Sequence, residues 1–250
     1  MFWSTKYECP ITQEDRVWVE EAMLMLADIF GGAYLQAKKT ILPTKDHFNY
    51  DFKGDDGDAR FVLDRLYELM DIDGSDINLY VEHLPISSYE LNGNASGGVS
   101  TSWRGASGTY QDNGSVKEIR IEPDVVKNTI KLISTLAHEL AHYKLLGEER
   151  IAENDEYLTD LTVIAFGFGI CMANSAFSFS QWTSGRLQGW NMSKQGYLPE
   201  PIIGYAMAWL AHYKGEDIGW KKHLNKTAKR YFTDSYYFIG NNWSDIRFEN

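Results

Sequence analysis

The chain predicts an α+β fold in which helices outweigh strands. Three patterns carry that expectation. Residues 12–30 and 59–70 set apolar side chains at helical spacing, residues 76–122 hold short alternating runs, and the chain after Pro123 returns to helical spacing. Strands followed by helices favour a small mixed or antiparallel sheet packed on a helix, with a mainly helical second half. With 250 residues, 44% of them hydrophobic and 14% aromatic, the chain can bury a substantial core. A single domain over 1–250 is expected, helical over 1–75, stranded over 76–122, and helical again over 123–175 and 199–232.

The elements follow in order. Thr12 with Asp15 three residues on reads as a helix start. Val17, Val19, Ala22, Met23, Leu26, Ala27 and Phe30 continue that helix, and Gly31-Gly32 ends it. Residues 43–58 read as a loop, and a helix resumes over 59–70. Ile77, Leu79 and Val81 alternate on one face of a strand over 76–82. Residues 92–98, rich in Gly, Asn and Ser, mark a turn. Short strands are expected over 99–103, 108–111 and 116–122, the last two joined through Asp112-Asn113-Gly114-Ser115. Pro123 breaks the last strand. Asp124 is expected to cap a long helix through Thr129, Leu132, Ile133, Leu136 and Leu140 to Gly147. A second helix is expected over 155–173. Its part 161–173 is apolar nearly all round, which belongs in a protein centre. Gly167 and Gly169 each cost a helix about 1 kcal/mol, so they are expected to permit close helix packing, with a ligand groove as the alternative. Further helices are expected over 200–213 and 217–232.

Net charge is −11, with no basic cluster. That balance disfavours nucleic acid, because phosphate binding needs concentrated positive charge, and it disfavours anionic membrane surfaces. The two cysteines, Cys9 and Cys171, lack ligand spacing, and so low a count is typical of a reducing compartment. Cys171 reads as a packed thiol. The first ten residues carry no apolar signal core, and the run 161–173 is too short to span a bilayer. A cytoplasmic protein with no membrane partner is the expectation; the oligomeric state is not legible.

His138-Glu139-Leu140-Ala141-His142 carries the most chemistry. It reads H-E-x-x-H inside an apolar helical run. Positions i and i+4 share a helix face, so both imidazoles can reach one metal ion. Glu139 lies beside them, where a carboxylate can take a proton from a metal-activated water. A catalytic zinc needs a third protein ligand and an open position. The next helix, folding back after a short connection, would bring Asn154-Asp155-Glu156-Tyr157-Leu158-Thr159-Asp160 past the metal. Glu156 and Asp160, four apart, share one face.

This arrangement resembles the gluzincin branch of the zincin metallopeptidases, in which H-E-x-x-H is followed by a helix bearing E-x-x-x-D. The resemblance covers roughly residues 106–175. It implies a zincin-like fold, Zn2+ as cofactor, and a peptide or protein substrate. It implies Glu156 as third ligand, Asp160 as partner of His138, and an edge strand (108–111 or 116–122) along which substrate main chain pairs. The interval from His142 to Glu156 is short for that family, which keeps Asp160 and Glu153 open as ligands. Zincins often add a Tyr, His or Arg that steadies the oxyanion. Tyr205 is the first candidate for that catalytic role, ahead of His212, Tyr213 and His223. His47 and His83 read as incidental. Residues 93–98 and 100–108 read as turns, with a lid as the alternative.

Two functions follow. The first is a zinc metallopeptidase with Glu139 as general base, His138, His142 and Glu156 as ligands, and Asp160 behind them. The second is a non-catalytic module of zincin shape, binding or regulatory, with a structural or vestigial metal. A metal hydrolase of another amide or ester is a third possibility, because the attack chemistry is shared.

Overall fold

The computed structural model describes residues 7–84, 107–183 and 198–248. The expected turn over 92–98, the strand over 99–103 and most of the lid alternative lie outside them. The described residues are mixed α and β, with three short strands among many helices. They form two compact units, one from those between 50 and 154, the other from residues 7–49, 155–183 and 198–248.

The first unit opens with α1, Asp56–Met70. Asp55 caps it, its carboxylate accepting from the Gly57 and Asp58 amides. The helix therefore begins three residues before its apolar pattern, because the cap rather than the core face sets the start. The strands are β1 (Ile77–Val81), β2 (Gly108–Asp112) and β3 (Lys117–Ile121). Their order is β1-β3-β2. β1 runs parallel to β3 with Ile77 opposite Lys117, and β2 runs antiparallel with Gly108 opposite Ile121. The β2–β3 hairpin closes as expected, the Asn113 amide donating to the Val116 carbonyl at 3.0 Å. Gly114 stands there at φ 81, which glycine adopts without strain. β3 carries Ile119 and Ile121 into the core, both fully buried. The expected strand over 116–122 is thus central, with partners on both sides and no edge to offer. Among the described residues β1 and β2 are the two edges.

The long helix of this unit, α2, spans Thr129–His142 and does not start at Asp124. Residues 123–127 instead form turns, with the Val125 amide on the Glu122 carbonyl and the Asn128 amide on the Val125 carbonyl. Those turns bury Val125 and Val126, which a helix starting at 124 would place differently. The cap is Asn128, whose Oδ1 accepts from the Lys131 amide at 3.0 Å. Asp124 is exposed and pairs with Lys127. α2 packs against α1, β2 and β3. A π-helical turn, Tyr143–Gly147, continues it to the expected end.

The second unit begins with α3, Gln13–Phe30. Thr12 Oγ1 accepts from the Asp15 amide at 3.1 Å, as its spacing predicts. Gly31 at φ 91 ends the helix, and a short α4, Gly32–Ala37, follows. The helix expected over 155–173 is broken. It comprises α5 (Glu156–Val163), a π-helical turn (Ile164–Phe168) and α6 (Gly169–Thr183). The break sits at Gly167, φ 97. A Cβ there would lie 2.2 Å from the Lys39 carbonyl oxygen, and one on Gly169 would lie 2.9 Å from Met207. Gly169 permits close helix packing, as expected, whereas Gly167 clears the backbone of Lys39, which follows the helix ending at Ala37. Among the described residues one helical span, Glu156–Ala176, is long and apolar enough to cross a membrane, so its length corrects the shorter run read from sequence. Its apolar window is 89% buried within the protein, and that burial accounts for its composition.

α7 (Glu200–Lys214) packs on α8 (Lys226–Asn241) and on α3. The helix expected over 217–232 starts later, because Gly219–His223 forms a 3-10 turn and Asn225 caps α8 through the Ala228 amide. Tyr205, Trp209, Phe166, Phe168 and Phe232 fill this unit's core. Cys9 and Cys171 are free thiols, and burial pushes the Cys171 thiol up to about 12.

Candidate metal centre

α2 is buried continuously from Leu132 to His142, so its polar residues are enclosed rather than solvated. Leu136, Ala137, Leu140 and Ala141 have no exposure and hold the helix against its neighbours. His138 and His142 emerge one turn apart on the same side. Their rings meet edge to face, 85° between planes, with the two Nε2 atoms 3.2 Å apart. Two nitrogens each about 2.05 Å from a tetrahedrally coordinated zinc would stand about 3.3 Å apart. The observed pair therefore has the separation of two ligands on one ion. Because both Nε2 atoms converge, both Nδ1 atoms are left for supporting partners, the usual division of a metal-binding imidazole.

Glu139 is 3% exposed. Its carboxylate lies under the first residue of β2, for a Cβ built on Gly108 would stand 2.7 Å from Glu139 Oε1. Two residues on, the Tyr110 ring lies 6.2 Å from the His142 ring and 15° from parallel. The Tyr110 hydroxyl sits over Gly147, 2.6 Å from where that residue's Cβ would be. β2 thus runs along the last turns of α2, with glycine at both close approaches. Burial, then the nearby Asp112 carboxylate, pushes the Tyr110 hydroxyl above its ordinary range; burial does the same to Tyr143. Both phenols stay protonated at neutral pH.

Glu156 is the first residue of α5, which Asp155 caps through the Tyr157 and Leu158 amides at 3.0 Å. Among the described residues His138, His142 and Glu156 are a group that could hold a metal ion, the histidines belonging to the first unit and Glu156 to the second. Glu153, the alternative donor, is exposed. Asp160 is 1% exposed, and its Oδ2 accepts the Leu198 amide at 2.8 Å.

The downstream candidates have packing partners. Tyr205 is fully buried, and its hydroxyl donates to Glu20 Oε1 at 2.7 Å. Glu20 also accepts from the Arg247 amide at 3.1 Å and faces the Arg16 guanidinium at 3.4 Å. His212 stacks on Tyr236 and contacts its carbonyl through Nε2 at 2.9 Å. The Tyr213 hydroxyl lies against Gly32, and the His223 carbonyl accepts from Asn174. His47 Nδ1 accepts the Leu42 amide, and His83 pairs with Glu122. Sequence reasoning missed Gly108 and Tyr110 as parts of this centre. The signal was present only as a glycine opening a strand pattern, which marks a close approach without saying to what.

The chain matches no protein-family model, no curated protein and no solved structure.

Proposed function

We propose that this chain is a zinc-dependent hydrolase of zincin type whose substrate is a peptide bond. The observation that carries the reading is the pair of buried Nε2 atoms 3.2 Å apart with the Glu139 carboxylate on the same helix. A hydrogen bond between the two rings would give a similar distance. A cation is the reading that uses Glu156, whose carboxylate would supply a third donor and offset positive charge that a ring pair alone does not carry.

His138 and His142 would hold the ion through Nε2, Glu156 through a carboxylate oxygen, and Asp160 would support His138 from behind. A bound zinc supplies Lewis-acid polarisation of the scissile carbonyl and makes water nucleophilic at neutral pH. Glu139 would serve as the proton carrier, its carboxylate accepting a proton from water and returning it to the leaving amine. β2 offers the edge along which an extended peptide pairs, since among the described residues no strand pairs with its outer side. Tyr205 has no part in this scheme, its hydroxyl being committed to Glu20. Free thiols agree with a cytoplasmic setting.

The test is Glu139→Gln on a proteome-derived peptide library. The variant should retain one zinc per chain and lose turnover by about 10²-fold or more, the usual contribution of a general base. Equal activity in the variant would overturn the mechanism. Zinc binding without cleavage in the parent would favour a non-catalytic module.

A further inference from the structure

The residue opposite Glu139 is unusual in what it leaves out. Gly108 begins β2 where the strand crosses α2, paired with Ile121 of β3. A Cβ at Gly108 would stand 2.7 Å from Glu139 Oε1, 3.1 Å from Glu139 Cγ and 2.8 Å from Thr135 Cγ2. Gly108 is not among the positive-φ glycines, so its backbone accepts an L side chain without torsional strain. The missing side chain is thus explained by space and not by conformation. The space it leaves is filled by the one carboxylate to which the proposed chemistry assigns proton transfer.

We propose that Gly108 is the positioning residue for Glu139: its lack of a Cβ creates the recess in which the Glu139 carboxylate is held against β2, one residue along α2 from His138. The inference rests on the metal-hydrolase reading and adds to it the specific strand residue that sets the base. The end of a glutamate is flexible, so a methyl at 108 displaces the carboxylate at little cost to the fold. Thr135 Cγ2 stands 2.8 Å from the same position and must give as well, which threonine does by turning to its second helical χ1 rotamer. An alanine at 108 therefore keeps the helix, the sheet and both histidines while shifting the base.

The experiment is a double-mutant cycle on cobalt-loaded protein, read by the visible spectrum during titration with acetohydroxamate. This probe chelates the metal through two oxygens and presents N–H and O–H donors that a neighbouring carboxylate accepts. Four proteins are compared: parent, Gly108→Ala, Glu139→Ala and the double variant. Cobalt stoichiometry should be the same in all four. Gly108→Ala should weaken hydroxamate binding by about tenfold or more, the loss expected for one hydrogen bond to a charged acceptor. In the Glu139→Ala background the same change should have almost no further effect, because the group it displaces is gone. Equal losses in both backgrounds would show that the methyl obstructs the probe or the fold directly, and would overturn the inference. So would unchanged binding by Gly108→Ala, or its failure to fold. If the parent takes up no cobalt, the metal reading itself falls, an outcome distinct from a parent that binds metal and probe while the cycle shows no coupling.

Discussion

Removing one oxygen from Tyr205 tests whether that residue is part of the core or of the chemistry. Tyr205→Phe deletes the hydroxyl that donates to Glu20 Oε1 at 2.7 Å, and both residues are at most 1% exposed. A hydrogen bond to a charged partner contributes about 1.5–3 kcal/mol. Glu20 keeps two other donors, the Arg247 amide at 3.1 Å and Arg16 at 3.4 Å, so the lower part of that range applies. A loss of about 1.5–2 kcal/mol lowers Tm by about 3–8 °C in a chain of this length. Burial, and then the bond to Glu20, raises the Tyr205 hydroxyl above its ordinary value. A group raised in the folded state stabilises fully below its unfolded pKa, about 10 for tyrosine, and loses that contribution as pH rises through the folded value. The Tm gap between parent and variant should therefore be widest below pH 10 and narrow above it. Thermal melts followed by circular dichroism from pH 7 to 11 measure both. A drop under about 1 °C, or a gap constant across that range, would refute the reasoning.

Three further outcomes follow from other parts of the molecule. Asn128→Ala removes the cap of α2 and should cost about 1 kcal/mol in urea unfolding, whereas Asp124→Ala should stay within about 0.5 kcal/mol; the reverse order would restore the helix start read from sequence. Burial lowers the Lys214 ammonium to about 8. The unfolded chain then holds a proton that the folded chain has released, so stability should rise with pH from about 8 to about 10.4, and Lys214→Gln should remove that rise in pH-dependent melts. At pH 8 a thiol reagent should modify Cys9 and leave Cys171 untouched until the protein unfolds, because Cys171 has no exposure and its thiol is pushed up to about 12; two fast thiols in native protein would contradict this.

What could be read from sequence was local. Thr12, Gly31 and the Asp112–Ser115 turn act through neighbours a few residues away, so their roles followed from residue type. The two histidines were legible for the same reason, since i and i+4 fix their side of the helix before any tertiary contact. The start of α2 was not. Asp124 and Asn128 are both good caps, and the choice depends on burying Val125 and Val126 in the preceding turns. Nor was the edge strand legible, because the alternation in 108–112 and 116–122 is compatible with either order, and only the parallel pairing of β1 with β3 makes β3 central. Tyr205 shows the limit most clearly. Its partner Glu20 is 185 residues away, and no spacing rule connects them. The Gly108–Glu139 contact likewise joins strand to helix through space alone.

The most direct test is metal content by mass spectrometry after dialysis against zinc, for the parent and for His138→Ala, His142→Ala and Glu156→Ala. One zinc per chain in the parent, none in either histidine variant and weakened retention without Glu156 is the predicted result. A parent that binds no divalent ion, or histidine variants that bind as the parent does, would contradict the account.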